Sequence, residues 1–253
     1  MANFVELALL ALAMSLSIFL SLPLVLRRSE RGWTLVLLNA AAIGILVFLL
    51  ADVFSNVASL DVGSALYLTL PVDDLLFVGA VAGAFLLLHV SEHRGGRTSP
   101  PNPSSLAAVI ALAIGFQNLT EGLVFGAAWA ANEVGLVGVV FLGFFLQNVT
   151  EGFPIASPFL GSGRPNVGRL SGFFLLGGLP TLVGALVGYF YNSRLLAILF
   201  ASLAIGAILY ALLPMFRVAL RPAASPEFTP MKMRLTYLGL LLGFLVGFAV
   251  NAF

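Results

Sequence analysis

Long apolar runs separated by short polar connections dominate the hydrophobic pattern of this chain. A helix needs about 20 apolar residues to cross the ~30 Å hydrocarbon core of a bilayer, and eight runs are long enough. The runs lack the apolar/polar alternation typical of barrel strands, so they predict helices. The predicted spans are residues 4–26, 33–55, 72–90, 105–131, 134–159, 168–191, 195–217 and 234–252.

Composition agrees with this pattern. The chain is 60% hydrophobic and 9% charged, whereas soluble domains carry about 25% charged residues. We therefore expect an all-α integral membrane protein with one transmembrane domain over residues 1–253. The chain has no cysteine, so a metal site must use oxygen and nitrogen ligands. The net charge of +1 and the position of the basic residues in short loops do not indicate a nucleic-acid partner.

The basic residues predict the orientation of the spans in the bilayer. Lys and Arg accumulate in cytoplasmic loops, and eleven of the twelve fall in alternate connections, with Arg194 the exception. This distribution predicts that the basic loops are cytoplasmic and that both termini face outward, and we expect the plasma membrane as the location. The eleven are Arg27, Arg28, Arg31, Arg94, Arg97, Arg164, Arg169, Arg217, Arg221, Lys232 and Arg234.

Two nearly identical segments place acidic and amide side chains in the middle of predicted spans. They are FQNLTEG at 116–122 and LQNVTEG at 146–152, thirty residues apart. An acidic residue at the centre of a span costs about 2.5–3.5 kcal/mol on insertion scales, so such residues are usually functional. Within each segment Gln and Glu are four residues apart, which puts both on one helix face.

The connection between the fourth and fifth spans, at 131–133, is too short for anything but an antiparallel hairpin. The hairpin sets the two segments at the same depth as an inverted repeat, and transporters commonly build their midplane site at such an interface. Glycines at 122, 126, 143 and 152 predict close helix approach. The predicted site residues are Gln117, Asn118, Glu121, Gln147, Asn148 and Glu151.

Two carboxylates with neutral carboxamide oxygens suit a divalent cation, whose charge offsets the cost of burying both acids. Asp52, near the outer end of the second span, is a further candidate as an entrance or accessory ligand. Asp73 and Asp74 begin the third span, where they either attract cations or cap the helix. The alternative for the amides is hydrogen bonding between helices, worth about 0.6–2 kcal/mol each. The spans contain no nucleophile–base pair, so no enzyme activity is predicted.

The motifs QNLTEG (117–122) and QNVTEG (147–152) resemble those of the ZIP family of divalent-metal transporters, which carry H-N-x-x-E-G on the fourth span and H/Q-x-x-x-E-G on the fifth. Residues 44–57 and 203–213 resemble the second and seventh spans of the family more loosely. The resemblance implies a 3+2+3 helix arrangement with spans two, four, five and seven around the pathway. It also implies inward transport of Zn²⁺, Fe²⁺ or Mn²⁺ as substrate, frequent homodimers and no organic cofactor.

The chain departs from the family motif at its imidazole ligands. Gln117 replaces the histidine of the fourth span, the fifth span has Gln147, and Asn148 stands where many members have an acidic residue. These changes predict one reduced metal site and a shift toward harder ions such as Mn²⁺, Fe²⁺ or Mg²⁺. Two alternatives remain open: a metal-binding homologue that does not transport, and a carrier of a polar or protonated solute that uses a glutamate proton relay.

Overall fold

The computed structural model describes residues 3–26, 32–60, 72–93, 102–132, 134–160, 166–221 and 228–251. In these ranges all regular secondary structure is helical. Short 3₁₀ segments follow α1 (Ile18–Ser21) and α6 (Ser157–Phe159). The α-helices are α1 Phe4–Ser17, α2 Leu22–Leu26, α3 Gly32–Ala58, α4 Val72–His93, α5 Pro103–Ala130, α6 Val134–Ala156, α7 Val167–Phe190, α8 Arg194–Ala219 and α9 Thr229–Asn251.

Eight helical stretches among the described residues are long and apolar enough to cross a membrane. This number confirms the predicted count of eight helical spans. Helices of this length and composition indicate an integral membrane protein, because helices satisfy their own backbone hydrogen bonds in lipid. The first predicted span comprises α1, its 3₁₀ segment and α2 (the first span below). The last begins at Thr229, earlier than the predicted residue 234.

Helices that are neighbours in sequence are not always the closest neighbours in space. α5 packs more extensively against α7 than against its hairpin partner α6. A Cβ atom on Gly115 would lie 2.7 Å from the Leu176 carbonyl oxygen, and one on Gly126 would lie 2.0 Å from that of Ala185. Only glycine permits this backbone contact, and the order of the contacts shows that α5 and α7 run in the same direction.

Two further close pairs have the same character. A Cβ atom on Gly44 of α3 would lie 2.1 Å from the Leu240 carbonyl oxygen of α9. A Cβ atom on Gly206 of α8 would lie 2.3 Å from the Val81 carbonyl oxygen of α4. In each pair a glycine therefore lies in direct contact with the backbone of the neighbouring helix, and Gly243 of α9 makes a further contact of this kind with Ala41 of α3.

Polar contacts identify the two ends of the bundle. Arg194, at the start of α8, lies 2.8 Å from the carboxylate of Asp73 at the start of α4. The same guanidinium donates a hydrogen bond of 2.6 Å to the carbonyl of Leu60, just after α3. We call this the Asp73 end, and the opposite one, where Lys232 lies near the start of α9, the Lys232 end. Consecutive spans that cross a membrane in alternating directions place the end of α3 and the starts of α4 and α8 on the same side, in agreement with these contacts.

Between the two ends lies an apolar core formed by residues from α3, α5, α6, α7 and α8. Leu46, Ile114, Ile155, Phe174 and Ile208 are among its buried members. The duplicated segments of α5 and α6 run through this apolar region, so their polar side chains are surrounded by hydrocarbon and by each other.

Candidate functional site

The duplicated segments meet across the α5–α6 hairpin. Glu121 is 6% exposed and Glu151 is completely buried. Burying a charge is costly unless it is paired or coordinates a metal, so the contacts of these two carboxylates decide what the site can do. The four amide side chains of the segments, Gln117, Asn118, Gln147 and Asn148, are also buried.

Glu121 is held by amide groups from both helices. Its Oε1 atom accepts a hydrogen bond of 3.1 Å from Nε2 of Gln117, one turn earlier on α5. It accepts a second, of 2.6 Å, from Nε2 of Gln147 on α6. The same Gln147 nitrogen lies 3.4 Å from Oε1 of Glu151. The two carboxylates therefore converge on one amide nitrogen.

Asn118 connects the hairpin to a third helix. Its Nδ2 atom lies 2.7 Å from Oδ1 of Asn148 and 3.0 Å from Oε2 of Glu151. The same atom lies 3.0 Å from the carbonyl oxygen of Gly177 on α7. An amide group has two hydrogens, so three acceptors share them. This crowding of oxygens around one nitrogen shows that the local environment is rich in acceptors.

Four buried oxygen atoms in this cluster have no hydrogen-bond partner among the described residues. They are Oε1 of Gln117, Oδ1 of Asn118, Oε2 of Glu121 and Oε1 of Gln147. Buried polar atoms are nearly always paired, and the exceptions in a native structure require an explanation such as an ion. A cation is a suitable partner for such oxygens, because carboxamide and carboxylate oxygens accept. Nδ2 of Asn148, a donor, is also without a partner among the described residues, and a cation would not satisfy it.

The donor set restricts the kind of cation that fits. In the described part of the chain no group of three or more His, Cys, Asp or Glu side chains could hold a metal ion. A metal bound between α5 and α6 would therefore need carboxamide oxygens in addition to Glu121 and Glu151. Oxygen-only ligands are those preferred by Mg²⁺, Ca²⁺ and Mn²⁺.

Asp52 belongs to a different network. It lies half-buried near the Asp73 end of α3, where Oδ1 accepts a hydrogen bond of 2.9 Å from Nδ2 of Asn251 at the end of α9. Its Oδ2 atom accepts one of 3.3 Å from Nδ2 of Asn56. The structure thus brings together the six predicted residues of α5 and α6 and gives Asp52 partners on α3 and α9 instead.

The threonines of the duplicated segments bond to their own helices. The hydroxyl of Thr150 donates to the carbonyl of Gln147 at 2.8 Å, and that of Thr120 donates to the carbonyl of Phe116 at 3.4 Å. Local bonds of this type are common for threonine in helices. The threonines therefore leave the carboxylates to the amide side chains.

Glycines of the two motifs allow neighbouring helices to pack closely against α5 and α6 at the site. A Cβ atom on Gly122 would lie 2.2 Å from the Thr181 carbonyl oxygen of α7, and one on Gly152 would lie 2.6 Å from the Ile18 carbonyl oxygen of the first span. The predicted close approach is confirmed at these positions. It is wrong for Gly143, which has nothing within 4 Å of a built Cβ atom, because that face of α6 has no close neighbour.

The sequence did not predict the contribution of α7. The Gly177 carbonyl reaches Asn118 only because the helix passes close by, with Gly177 and Gly178 both buried. The adjacent pair of glycines in the sixth span is the signal that could have indicated such an approach.

Comparison with known proteins does not assign the chain to a family. No protein-family model matches the sequence, and no curated protein matches it.

Proposed function

We propose that this protein is a ZIP-like carrier of divalent metal cations, with its binding site between α5 and α6. The observation that carries the proposal is the set of four unpartnered oxygens beside two buried carboxylates. A divalent ion would supply the missing partner to each oxygen and offset the charge of Glu121 and Glu151. The twin motifs at 117–122 and 147–152 connect this chemistry to the ZIP resemblance.

The oxygen-only donor set favours a hard ion. Gln117, Gln147 and Asn148 offer amide oxygens where imidazole or a third carboxylate would favour Zn²⁺. We therefore propose Mn²⁺ or Mg²⁺ ahead of Fe²⁺ and Zn²⁺ as the substrate. The substrate moves from the outer face to the cytoplasm, in the orientation that the distribution of basic residues predicts.

The packing pattern supports an inverted repeat. Such a repeat relates span one to span six, two to seven, three to eight and four to five. Under this exchange the α5–α7 contact corresponds to the contact of α6 with the first span. The exchange also converts the α3–α9 contact into the α4–α8 contact. Gly122 and Gly152 make equivalent backbone contacts in the first exchange. Carriers built from such repeats alternate access around a midplane site.

A second pair of segments fits the same exchange. Residues AIGILVFLL at 42–50 are similar to AIGAILYAL at 204–212. Gly44 and Gly206 occupy equivalent places in these segments, and each contacts the backbone of its own neighbour, α9 or α4. These similarities support the 3+2+3 arrangement that the ZIP resemblance implies.

One observation favours a second candidate function. Four hydrogen bonds from Gln117, Gln147 and Asn118 to the two carboxylates hold these carboxylates with protein donors. A site stabilised in this way is suited to a homologue that binds metal without turnover. Transport requires that the carboxylates exchange these amide N–H donors for the ion and then release the ion again.

Metal uptake and metal-dependent stability together distinguish the candidates. Full-length protein in proteoliposomes is tested for Mn²⁺ uptake, and protein in detergent for a rise of Tm with Mn²⁺. We expect Glu121→Gln and Glu151→Gln to abolish both signals. Glu6→Gln is the matched control, since Glu6 is exposed in the first turn of α1.

The outcomes are distinct. Uptake unchanged in both site variants would refute the assigned site. A Tm shift that depends on Glu121 and Glu151 without uptake of any divalent ion would favour the non-transporting homologue. Uptake driven by pH, without competition by Mn²⁺, would indicate a carrier of a protonated solute.

A further inference from the structure

A cavity of about 320 Å³ lies at the Lys232 end, apart from the six site residues. Ligand cavities are typically ~300–1,000 Å³. The cavity is bounded by the first half of α3, the start of α5, the 3₁₀ segment after α6, the end of α8 and the start of α9. None of the six residues of the candidate metal site lines it.

The shape of the cavity suits a hydrocarbon chain. Its buried floor includes Ile43, 2% exposed, and Met215, 6% exposed, whereas Val218 at its rim is 54% exposed. Aliphatic side chains such as Leu35 and Leu106 also line the cavity. An apolar guest could therefore enter from the rim and bury its surface on the floor.

Among the described residues that line the cavity, the one charged side chain is positive. Lys232 contributes an ammonium group, and none of the described lining residues is Asp or Glu. The ammonium donates to the carbonyls of Val218, at 3.5 Å, and Arg221. An ammonium has three donors, and the described residues accept from two of them, so a third is open to a guest within the described part of the chain. A divalent cation would meet a positive charge and no carboxylate among the described lining residues, so an anionic group is the better match.

The surroundings add to this positive field. Arg169 donates a hydrogen bond of 3.2 Å to the hydroxyl of Ser104, next to Pro103 in the lining. The basic residues of the described connections at this end also belong to the loops that the charge distribution assigns to the cytoplasm. Basic pockets between membrane helices on the cytoplasmic side bind anionic lipid headgroups.

We propose that this cavity binds an anionic phospholipid. One acyl chain lies against Ile43 and Met215, and the headgroup phosphate accepts a hydrogen bond from Nζ of Lys232. Because the lining belongs to α3, α5, α8 and α9, the lipid would contact four spans at once and stabilise their packing at this end. The lipid site is separate from the metal site, and each can exist without the other.

Lipid retention in purified protein tests the proposal. The full chain is reconstituted in bilayers of phosphatidylcholine mixed with phosphatidylglycerol, extracted in neutral detergent and examined by native mass spectrometry. We expect preferential retention of phosphatidylglycerol. Lys232→Met should lower this retention roughly fivefold, as expected for loss of one cationic contact. Arg234→Met is the matched control, because Arg234 is exposed on the same helix and does not line the cavity.

A second variant tests the apolar part of the site. Val36→Phe adds bulk to the cavity wall and should abolish retention of phosphatidylglycerol while Lys232 remains. Glu121→Gln should retain the lipid as the unmodified protein does, so failure of the metal proposal leaves this measurement informative.

Five results would overturn the lipid site. Four of them are equal retention of both lipids, an equal effect of Arg234→Met and Lys232→Met, undiminished retention in Val36→Phe, and displacement of the lipid by Mn²⁺. Competition by glycerol 3-phosphate alone would also overturn the lipid site, because such competition would show a simple anion site whose binding does not depend on the acyl chain.

Discussion

Gln147 on α6 donates a hydrogen bond of 2.6 Å to Oε1 of Glu121 on α5. This bond is shorter than the 3.1 Å bond that Gln117, also on α5, donates to the same oxygen. The closest polar partner of Glu121 thus lies across the hairpin. Because both bonds go to Oε1, the second oxygen, Oε2, is left without a partner among the described residues. The two glutamines therefore orient the carboxylate and leave one of its oxygens for a cation.

Replacing the bridging amide by a third acid should make stability depend on metal. In Gln147→Glu an oxygen stands where an N–H group now lies near Glu121 and Glu151. Like charges at this distance in a buried site repel strongly. We expect a lower Tm in metal-free buffer and a larger rise of Tm with Mn²⁺ than in the unmodified protein.

The control for this variant is Asn192→Asp, which adds the same charge at an exposed position between α7 and α8. This control variant should change neither the metal-free Tm nor the rise of Tm with Mn²⁺. An unchanged metal-free Tm in Gln147→Glu would contradict the close approach of the three side chains.

Asn118 should be coupled energetically to Asn148. Asn118→Leu removes the donor to Oδ1 of Asn148 and to the Gly177 carbonyl, and each buried acceptor left unpaired costs about 1–3 kcal/mol. We expect the variant to lower Tm markedly. In the double variant with Asn148→Leu, one of the unpaired acceptors no longer exists.

The double variant should therefore lose less stability than the sum of the two single variants, which a double-mutant cycle measures. Strict additivity would argue that the Asn118–Asn148 contact contributes nothing. The bonds of Asn118 to Glu151 and to the Gly177 carbonyl would then have to explain the whole effect of Asn118→Leu.

Alanine substitution should separate the glycines that touch backbone from those that do not. In Gly122→Ala the new Cβ atom would lie 2.2 Å from the Thr181 carbonyl oxygen, so α5 and α7 must move apart. Gly143 has open space instead, and alanine there gains roughly 0.5–1 kcal/mol of helix propensity. Thermal denaturation should show a loss for Gly122→Ala and no loss for Gly143→Ala. Equal losses would mean that the α5–α7 contact is looser than the structure describes.

The ion pair between Arg194 and Asp73 should contribute little, while Arg194 itself contributes more. The Arg194 side chain is 52% exposed, and exposed pairs are worth about 0.2–1 kcal/mol. Arg194 also donates to the Leu60 carbonyl after α3, a contact that Asp73→Asn preserves. We expect Arg194→Met to lower Tm more than Asp73→Asn does. The reverse order would indicate that the ion pair dominates at this end.

Sequence reasoning predicted the local parts of this structure because their causes are local. The apolar runs specify the eight spans, and the spacing of Gln117 and Glu121 places them on one face of α5. The short connection at 131–133 specifies the hairpin and hence the meeting of Asn118 with Asn148. Each of these features depends on a few consecutive residues.

Contacts between distant spans could not be predicted in the same way. Which face of a helix meets a neighbour depends on the whole bundle, so Gly143 gave the same sequence signal as Gly122 and had the opposite environment. The Gly177 carbonyl reaches Asn118 across 59 positions of sequence. Asp52 finds its partner Asn251 across 199.

The position of Asp52 yields a prediction that distinguishes entry of the ion from its binding. Asp52 contacts Asn56 and Asn251 and has no hydrogen bond to the six site residues. If its charge attracts the ion at the Asp73 end, Asp52→Asn should raise the Mn²⁺ concentration for half-maximal uptake severalfold, because the local field weakens. The Tm shift with saturating Mn²⁺ should persist, because the ligands between α5 and α6 are intact.

Asn251→Leu provides the control, since it removes the 2.9 Å contact between α9 and α3 and keeps the charge. Normal uptake in this variant would assign the effect of Asp52→Asn to charge, and an equal defect would assign it to helix packing. Loss of the Tm shift in Asp52→Asn would instead make Asp52 a ligand of the bound ion, which requires α3 to approach α5 and α6 when metal is present.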